Sequence, residues 1–171
     1  QVRRNLESLD TGARILGEGQ ALGIFPEGKS TDKARLDKVR SGAARMAIKA
    51  YDDGVRGVQV VPMGINYARK EQFRSAAWVR VGDPIDIDEW VERHDGDSRK
   101  AMRSLTVEIA DNLKQLMVHL DEPEWEPWLE DLEIMVPSVV DTTEVAAGSL
   151  QQRKRIADAM NHFLATDREQ A

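Results

Sequence analysis

Apolar residues recur every three or four positions over four stretches of the chain, and this period predicts four helices. Ser41 is the predicted N-cap of the second helix, and its Ala and Gly residues would allow close packing on a sheet. Acidic residues and two tryptophans, Trp125 and Trp128, lie between the last two helices. We expect the tryptophans to pack the helical extension on the sheet domain; interfacial anchoring is the alternative. The predicted helices are Arg4–Leu16, Ser41–Tyr51, Ser98–Leu120 and Thr143–Ala165.

Short apolar runs bounded by turn residues predict buried strands at Gln20–Phe25 and at Val58–Ile65, the second interrupted by Pro62. Alternating apolar and polar residues predict a half-exposed strand at Ala77–Val81. Two buried strands joined by a helix favour a βαβ crossover. The predicted fold class is therefore α/β, with a sheet flanked by helices over residues 1–96 and an α-helical C-terminal extension over residues 97–171.

Composition narrows the class of protein. The 171 residues carry a formal net charge of −6, which disfavours nucleic acid as a partner. There is no cysteine, so disulfides, thiolate nucleophiles and cysteine-ligated zinc are excluded. The longest run without a charge, residues 57–68, is too short to span a bilayer. Because the sequence begins with Gln rather than Met, we expect a fragment with further chain upstream.

The segment Gly23–Ser30, GIFPEGKS, carries the most chemical information. Glu27 would lie at the carboxyl edge of a strand, where α/β folds place ligands, and Gly28 permits a positive φ. A glycine turn beside cations is suited to binding a phosphate. The alternative is a solvated charged loop, which is what a run of charges usually indicates. Residues 29–49 include two acidic residues and seven basic ones. The basic residues are Lys29, Lys33, Arg35, Lys38, Arg40, Arg45 and Lys49.

Four motifs in order carry a resemblance to a family. FPEG is followed by RSGAARMA at Arg40–Ala47, VVPMGINY at Val60–Tyr67 and VRVGDPIDI at Val79–Ile87. Together they resemble the glycerolipid acyltransferases, which act on glycerol 3-phosphate or lysophosphatidic acid. GIFPEGKS is similar to the third block of that family and VPMGI, Val61–Ile65, to its fourth. The resemblance extends over about the first 95 residues.

The resemblance implies transfer of an acyl group from acyl-CoA or acyl-carrier protein to a hydroxyl of a glycerol-phosphate or lysophospholipid acceptor, without a cofactor. It also implies a place at the cytoplasmic face of a membrane, either peripheral or anchored by sequence upstream. The alternative from another class is a non-catalytic α/β module that binds a phosphorylated ligand or a protein partner.

Similarity to the third block implies that the acceptor site includes Phe25, Pro26, Glu27, Gly28 and Ser30. A carboxylate would repel phosphate, so Glu27 is expected to orient a hydroxyl or a basic side chain. Position and charge make Lys29 and Arg40 the candidates for phosphate contact. The fourth block is associated with the acyl donor, which carries over to Pro62 and Gly64; a bulge in a core strand explains these two residues equally well.

The catalytic block of the family, Asn-His-x-x-x-x-Asp, should precede FPEG, but the first histidine here is His94. We therefore expect no catalytic residue in this part of the protein and no activity of the chain alone. Asn161–Asp167 spells the motif in the wrong order along the chain. On a helix His162 and Asp167 would lie about 140° apart, so a helix terminus is the preferred interpretation. His94 and His119 are expected at the surface, without zinc.

Overall fold

The computed structural model describes residues 2–29, 33–69, 71–136 and 145–170, and they form two compact units. The first unit comprises residues up to 29 together with 38–62 and 82–112, and the second comprises 33–37, 63–81 and the residues from 113 onward. The contacts thus divide the chain within a helix, after residue 112. The domain boundary near residue 96 stays a prediction.

Helices and small antiparallel strand pairs make up the described chain, so the mixed α and β class is confirmed at that level. The strands are β1 Gln59–Val60, β2 Met63–Tyr67, β3 Ala77–Val81 and β4 Ile85–Asp86. The helices are α1 Val2–Gly17, α2 Gly42–Asp52, α3 Ile87–Glu92, α4 Ser98–Leu116, α5 Glu126–Met135 and α6 Val145–Gln170, with a 3₁₀ turn at Pro123–Trp125.

In the first unit, α1 packs on α2 through small residues. A Cβ at Gly12 would lie 2.6 Å from the sulfur of Met46, which shows how closely the two helices approach. Ala13 and Ala44 are buried in the same unit. The predicted helix α2 is confirmed, but Ser41 makes no side-chain hydrogen bond at its start. Gly12 therefore leaves room for the Met46 side chain where the two helices meet.

The predicted buried strand at Gln20–Phe25 is wrong. The segment is exposed, forms no regular element and pairs with no described strand. An apolar run becomes a strand only where a neighbouring strand satisfies its N–H and C=O groups. Because both described strand pairs are antiparallel, the predicted βαβ crossover is also not formed in the described part of the chain.

The predicted strand at Val58–Ile65 is wrong as one buried element, because Pro62 divides it. β1 pairs with β4 in the first unit, whereas β2 pairs with β3 in the second. Proline has no N–H to continue a ladder, and the Pro62 carbonyl instead accepts a hydrogen bond from the Gly82 amide at 2.9 Å. The two halves are exposed at alternating positions rather than buried throughout.

The hairpin β2–β3 has one polar, buried face and one apolar, exposed face. β3 forms as predicted, over Ala77–Val81. Its register pairs Met63 with Val81 and Ile65 with Val79. The side chains of Met63, Val79 and Val81 are about half exposed, at 52%, 49% and 61%. Asn66, on the other face, is buried.

Asn66 terminates helix α4. Its Nδ2 donates to the carbonyl of Leu116 at 3.1 Å, and its Oδ1 accepts from the Val118 amide at 2.8 Å. The side chain thus satisfies one free carbonyl and one amide at the helix end. This explains why α4 ends at Leu116, four residues before the predicted end.

The helical extension has its own apolar core. Trp125 is buried there with residues of α5 and α6, so it packs within the extension itself, and the prediction that both tryptophans pack is wrong for Trp128, which is 55% exposed. α6 is confirmed as a helix through Asn161–Asp167, and Leu150 and Met160 are buried on it while His162 is exposed. The side chain of Asp167 lies outside the described residues. The core cluster consists of Leu120, Trp125, Leu129, Ala157 and Met160.

We expect Gly64→Ala to destabilise the second unit by about 1 to 3 kcal/mol, the usual effect of overpacking. The added Cβ would lie 2.7 Å from the carbonyl oxygen of Leu116, a backbone atom that cannot rotate away. Urea denaturation followed by tryptophan fluorescence measures the effect. Gly42→Ala is the control, because a Cβ there meets no atom within 4 Å. Equal stability of the two variants would contradict this packing.

Candidate functional site

The FPEG segment forms a tight turn. The Gly28 amide donates to the carbonyl of Phe25 at 3.1 Å, and Gly28 has a φ of +71°. The positive φ expected at Gly28 is therefore present, although the turn follows an exposed segment and not a sheet strand. Pro26 and Glu27 are half-buried, and Phe25 is 83% exposed. Ser30 lies outside the described residues.

Arg40 is held beside this turn. Its amide donates to the carbonyl of Pro26 at 2.9 Å, which fixes its backbone. Its guanidinium lies over Gly28, where an added Cβ would come within 3.4 Å of Nε. That distance is an ordinary van der Waals contact, so the positive φ, and not space, favours glycine at this position. The structure thus brings together Gly28 and Arg40, which the sequence analysis placed in one site from charge and position.

The turn offers a cation, a carboxylate and an open glycine within one short segment. A guanidinium can bind two phosphate oxygens at once, which makes Arg40 well suited to a phosphorylated ligand. Lys29 is exposed one residue after Gly28. The arrangement can therefore bind an anion next to a carboxylate that accepts hydrogen bonds from hydroxyl groups.

The basic stretch over residues 29–49 is divided between the two units. Lys33 and Arg35 belong to the second unit, whereas Lys38 and Arg40 belong to the first. Lys49 forms ion pairs with Asp53 at 2.8 Å and with Asp10 at 3.3 Å. The hydrogen bond to Asp53, followed by that to Asp10, raises the pKa of Lys49. The local charge of +5 counted along the sequence is therefore partly neutralised.

Pro62 and Gly64 each have a structural contact. Pro62 is buried and accepts the Gly82 amide, and Gly64 is buried against the end of α4. These contacts explain a proline and a glycine at positions 62 and 64 by chain geometry. The assignment of Pro62 and Gly64 to the acyl donor stays a prediction.

Sequence reasoning missed how residues 33–37 are held. The Leu36 amide donates to Nδ1 of His119 at 2.9 Å, and the Ala34 carbonyl accepts the Leu120 amide at 2.8 Å. The Ala34 amide donates to Oε1 of Glu126 at 3.2 Å. These partners lie more than 80 residues away along the chain, so no local pattern could have found them.

The surface positions expected for two histidines are wrong. His119 is 5% exposed, and burial lowers the pKa of its imidazole, although Asp121 opposes the shift. His94 is half-buried between the Trp90 carbonyl, 2.7 Å from Nδ1, and the Ser104 hydroxyl, 2.7 Å from Nε2. Among the described residues no group of three or more His, Asp or Glu side chains could hold a metal ion.

A cleft of about 290 Å³ opens in the second unit, and none of its lining residues was assigned to the site by the sequence analysis. Two opposite charges meet within it, since Lys154 is buried and pairs with Asp158 one helical turn along α6. The cleft is lined by Lys114, Gln115, His119, Asp121, Lys154, Asp158 and Asn161.

Comparison with known proteins supports the resemblance drawn from the motifs. Residues 1–66 match the family model described as Acyltransferase, so this part of the chain is similar to that family. The matched range contains the FPEG turn, Arg40 and the fourth block, and the resemblance drawn from those motifs is confirmed.

Two yeast relatives narrow the resemblance. The chain is 36% identical over 107 residues to glycerol-3-phosphate O-acyltransferase 1 of Saccharomyces cerevisiae, which covers 60% of this chain and 14% of the relative. It is also 36% identical over 94 residues to glycerol-3-phosphate O-acyltransferase 2 of the same yeast, covering 54% of this chain and 13% of the relative. The chain thus spans about one seventh of the length of these relatives.

A third relative aligns over more of the chain. An uncharacterized acyltransferase of Schizosaccharomyces pombe is 28% identical over 142 residues, which is 75% of this chain and 21% of the relative. That alignment is longer than the 66 residues of the family match, so likeness to acyltransferases extends beyond them. No solved structure matches the chain.

Proposed function

We propose that this chain is the acceptor-binding part of an enzyme that acylates glycerol phosphate or a lysophospholipid. The family match and the two yeast glycerol-3-phosphate O-acyltransferases support the reaction class. The observation that carries the proposal is the position of Arg40, whose guanidinium lies over Gly28 in the FPEG turn. The donor would be acyl-CoA or acyl-carrier protein.

In this proposal Arg40 and Lys29 bind the phosphate of the acceptor. The Glu27 carboxylate accepts a hydrogen bond from a hydroxyl of the substrate, because an ionised carboxylate has no proton to donate. Phe25, exposed at the start of the turn, contacts the glycerol carbons or the acyl chain. Pro62 and Gly64 lie on the donor side of the site.

The reaction itself needs a base. The acceptor hydroxyl oxygen attacks the thioester carbonyl carbon, the carbon–sulfur bond breaks, and the thiolate leaves and takes up a proton. General-base removal of the hydroxyl proton contributes roughly 100- to 10,000-fold. The family supplies this base from a His-x-x-x-x-Asp block before FPEG, and no histidine precedes Glu27 in this sequence.

A membrane surface completes the proposal, because the products of this family are lipids. The exposed apolar face of β2–β3 and the 93% exposed Phe73 at its tip support contact with lipid. No described helix is long and apolar enough to cross a membrane.

We expect Arg40→Gln to weaken binding of glycerol 3-phosphate to this chain about fivefold or more, since a charge-assisted bond to phosphate is lost. Isothermal titration calorimetry at low and moderate salt measures the affinity. Arg45→Gln is the control, because it removes an exposed charge on α2 that lies in the same unit. Equal weakening in both variants would mean that general charge, not this turn, attracts the ligand, and the acceptor-site proposal would fail.

We expect the 171-residue chain to release no CoA above background from acyl-CoA and glycerol 3-phosphate, because it lacks the base. A thiol-reactive dye that detects free CoA provides the assay. Turnover that disappeared in His162→Ala would show that the C-terminal motif is catalytic after all. Turnover that persisted without any of the three histidines would contradict the mechanism itself.

A further inference from the structure

We propose that the β2–β3 hairpin binds a membrane surface that contains anionic phospholipids, with Phe73 inserted between the lipids and Arg69 and Arg74 bound to their phosphates. The membrane contact itself rests on the proposed function, and what is new is the element, its side chains and the charge of the lipid. All three side chains lie in the second unit.

The hairpin packs one of its two faces on the end of α4. On that face Asn66 and Arg80 donate to the carbonyls of Leu116 and Gln115, at 3.1 and 2.7 Å. The other face consists of six apolar side chains, which the register places in three opposing pairs, and all but Ile65 are exposed. A contiguous exposed apolar face of this kind marks an interaction site. Its members are Met63, Ile65, Tyr67, Ala77, Val79 and Val81.

The loop that closes the hairpin holds an aromatic side chain in solvent. Phe73 is 93% exposed, more than any other large hydrophobic residue in the described part of the chain. The amides of Gln72 and Ser75 donate to the carbonyls of Arg69 and Gln72 at 3.1 and 3.2 Å, and the Ser75 hydroxyl accepts the Arg69 amide at 2.8 Å. Because the loop is already folded, insertion of Phe73 into lipid would cost little ordering of the backbone.

Arg74 places a cation beside this ring. Its backbone has a φ of +64°, which is uncommon for a residue other than glycine. The guanidinium carbon lies 5.5 Å from the centre of the Phe73 ring. Neither Arg74 nor Arg69 forms an ion pair with a side chain in the described residues. Both guanidiniums can therefore bind phosphate oxygens, which they recognise in pairs.

Charge distinguishes an anionic lipid surface from a neutral one. Residues 63–81 contain four basic residues and one acidic residue, whereas residues 113–171 contain five basic and twelve acidic ones. An anionic surface therefore attracts the hairpin and repels the acidic residues that follow it, and this difference orients the hairpin toward the bilayer. A neutral surface would gain nothing from the two arginines at the tip.

Co-sedimentation of the 171-residue chain with lipid vesicles tests this surface. Vesicles of phosphatidylcholine mixed with phosphatidylserine are compared with vesicles of phosphatidylcholine alone. We expect Phe73→Ser to weaken binding to the anionic vesicles about tenfold or more, because burial of an aromatic side chain is lost. Phe163→Ser is the matched control and should bind like the unsubstituted chain, because Phe163 is 64% exposed on α6 in the same unit.

A second pair of variants separates charge from backbone conformation. Asparagine tolerates a positive φ, so Arg74→Asn keeps the loop and removes the cation. We expect it to bind anionic vesicles about fivefold more weakly, the contribution of one cation at such a surface, whereas Arg74→Lys should retain binding. Arg155→Asn removes the same charge from an exposed position on α6 and should leave binding unchanged.

A fluorescent label reports the insertion of residue 73 directly. The chain has no cysteine, so Phe73→Cys provides one site for a dye whose emission depends on polarity. The emission should move to shorter wavelength when anionic vesicles are added. The same dye at Phe163→Cys should keep its emission, because α6 stays in water.

Several results would overturn the inference. Equal binding to phosphatidylcholine alone would remove the role of the arginines, and equal weakening in both phenylalanine variants would remove the role of the hairpin. Absence of vesicle binding would contradict the lipid surface. Self-association that Phe73→Ser abolishes, measured by sedimentation velocity, would then assign the apolar face to a second copy of the chain.

These measurements are independent of the acceptor site. Vesicle binding is measured without glycerol 3-phosphate, and glycerol 3-phosphate binding is measured without vesicles. The lipid surface can therefore fail while Arg40 still binds the acceptor. Conversely, loss of the acceptor proposal would leave vesicle binding by the hairpin intact.

Discussion

The turn after helix α4 is the point on which the second unit depends. The turn lies outside the helix, so its N–H and C=O groups need partners from elsewhere in the chain. Side chains and backbone from three distant segments satisfy them at distances of 2.8 to 2.9 Å: Val118 to Asn66, Leu120 to Ala34, and both Asp121 and His119 to Asn161. Each of these hydrogen bonds contributes little alone. Together they hold the β2–β3 hairpin, residues 33–37 and α6 against the turn.

This arrangement changes the meaning of the C-terminal helices. The family match ends at residue 66, so it includes residues 33–37. Yet the hydrogen bonds that hold this segment come from His119, Leu120 and Glu126, far outside the match. The extension is therefore part of the structural unit that contains residues 33–37, and residues outside the family match hold that segment.

Helices were predictable from this sequence because their hydrogen bonds are local. The period of apolar residues located all four long helices, and Pro62 and Gly28 behaved as their backbone chemistry requires. The alternating strand β3 was predictable, but the buried strand at Gln20–Phe25 was not, because it needs a partner that no described segment supplies. An apolar run specifies burial or pairing only together with the surface that receives it.

Buried polar residues were the least predictable feature. Asn66, His119 and Asn161 read as surface or motif residues along the chain, but each bonds to backbone 40 to 83 residues away. Asn161 begins the seven-residue sequence that imitates the catalytic motif, and its amide instead joins α6 to the turn. The imitation is thus explained, at its first residue, by a structural contact.

Hydrogen exchange at the Leu36 and Leu120 amides in Asn161→Ala is the most direct test of this account. The substitution removes two hydrogen bonds to the turn and none to residues 33–37. Since each bond contributes about 1 kcal/mol, we expect both amides to exchange about tenfold faster or more. His162→Ala, the neighbouring exposed position, should leave both rates unchanged. Identical exchange rates of the Leu36 and Leu120 amides in the two variants would contradict the claim that the turn holds residues 33–37.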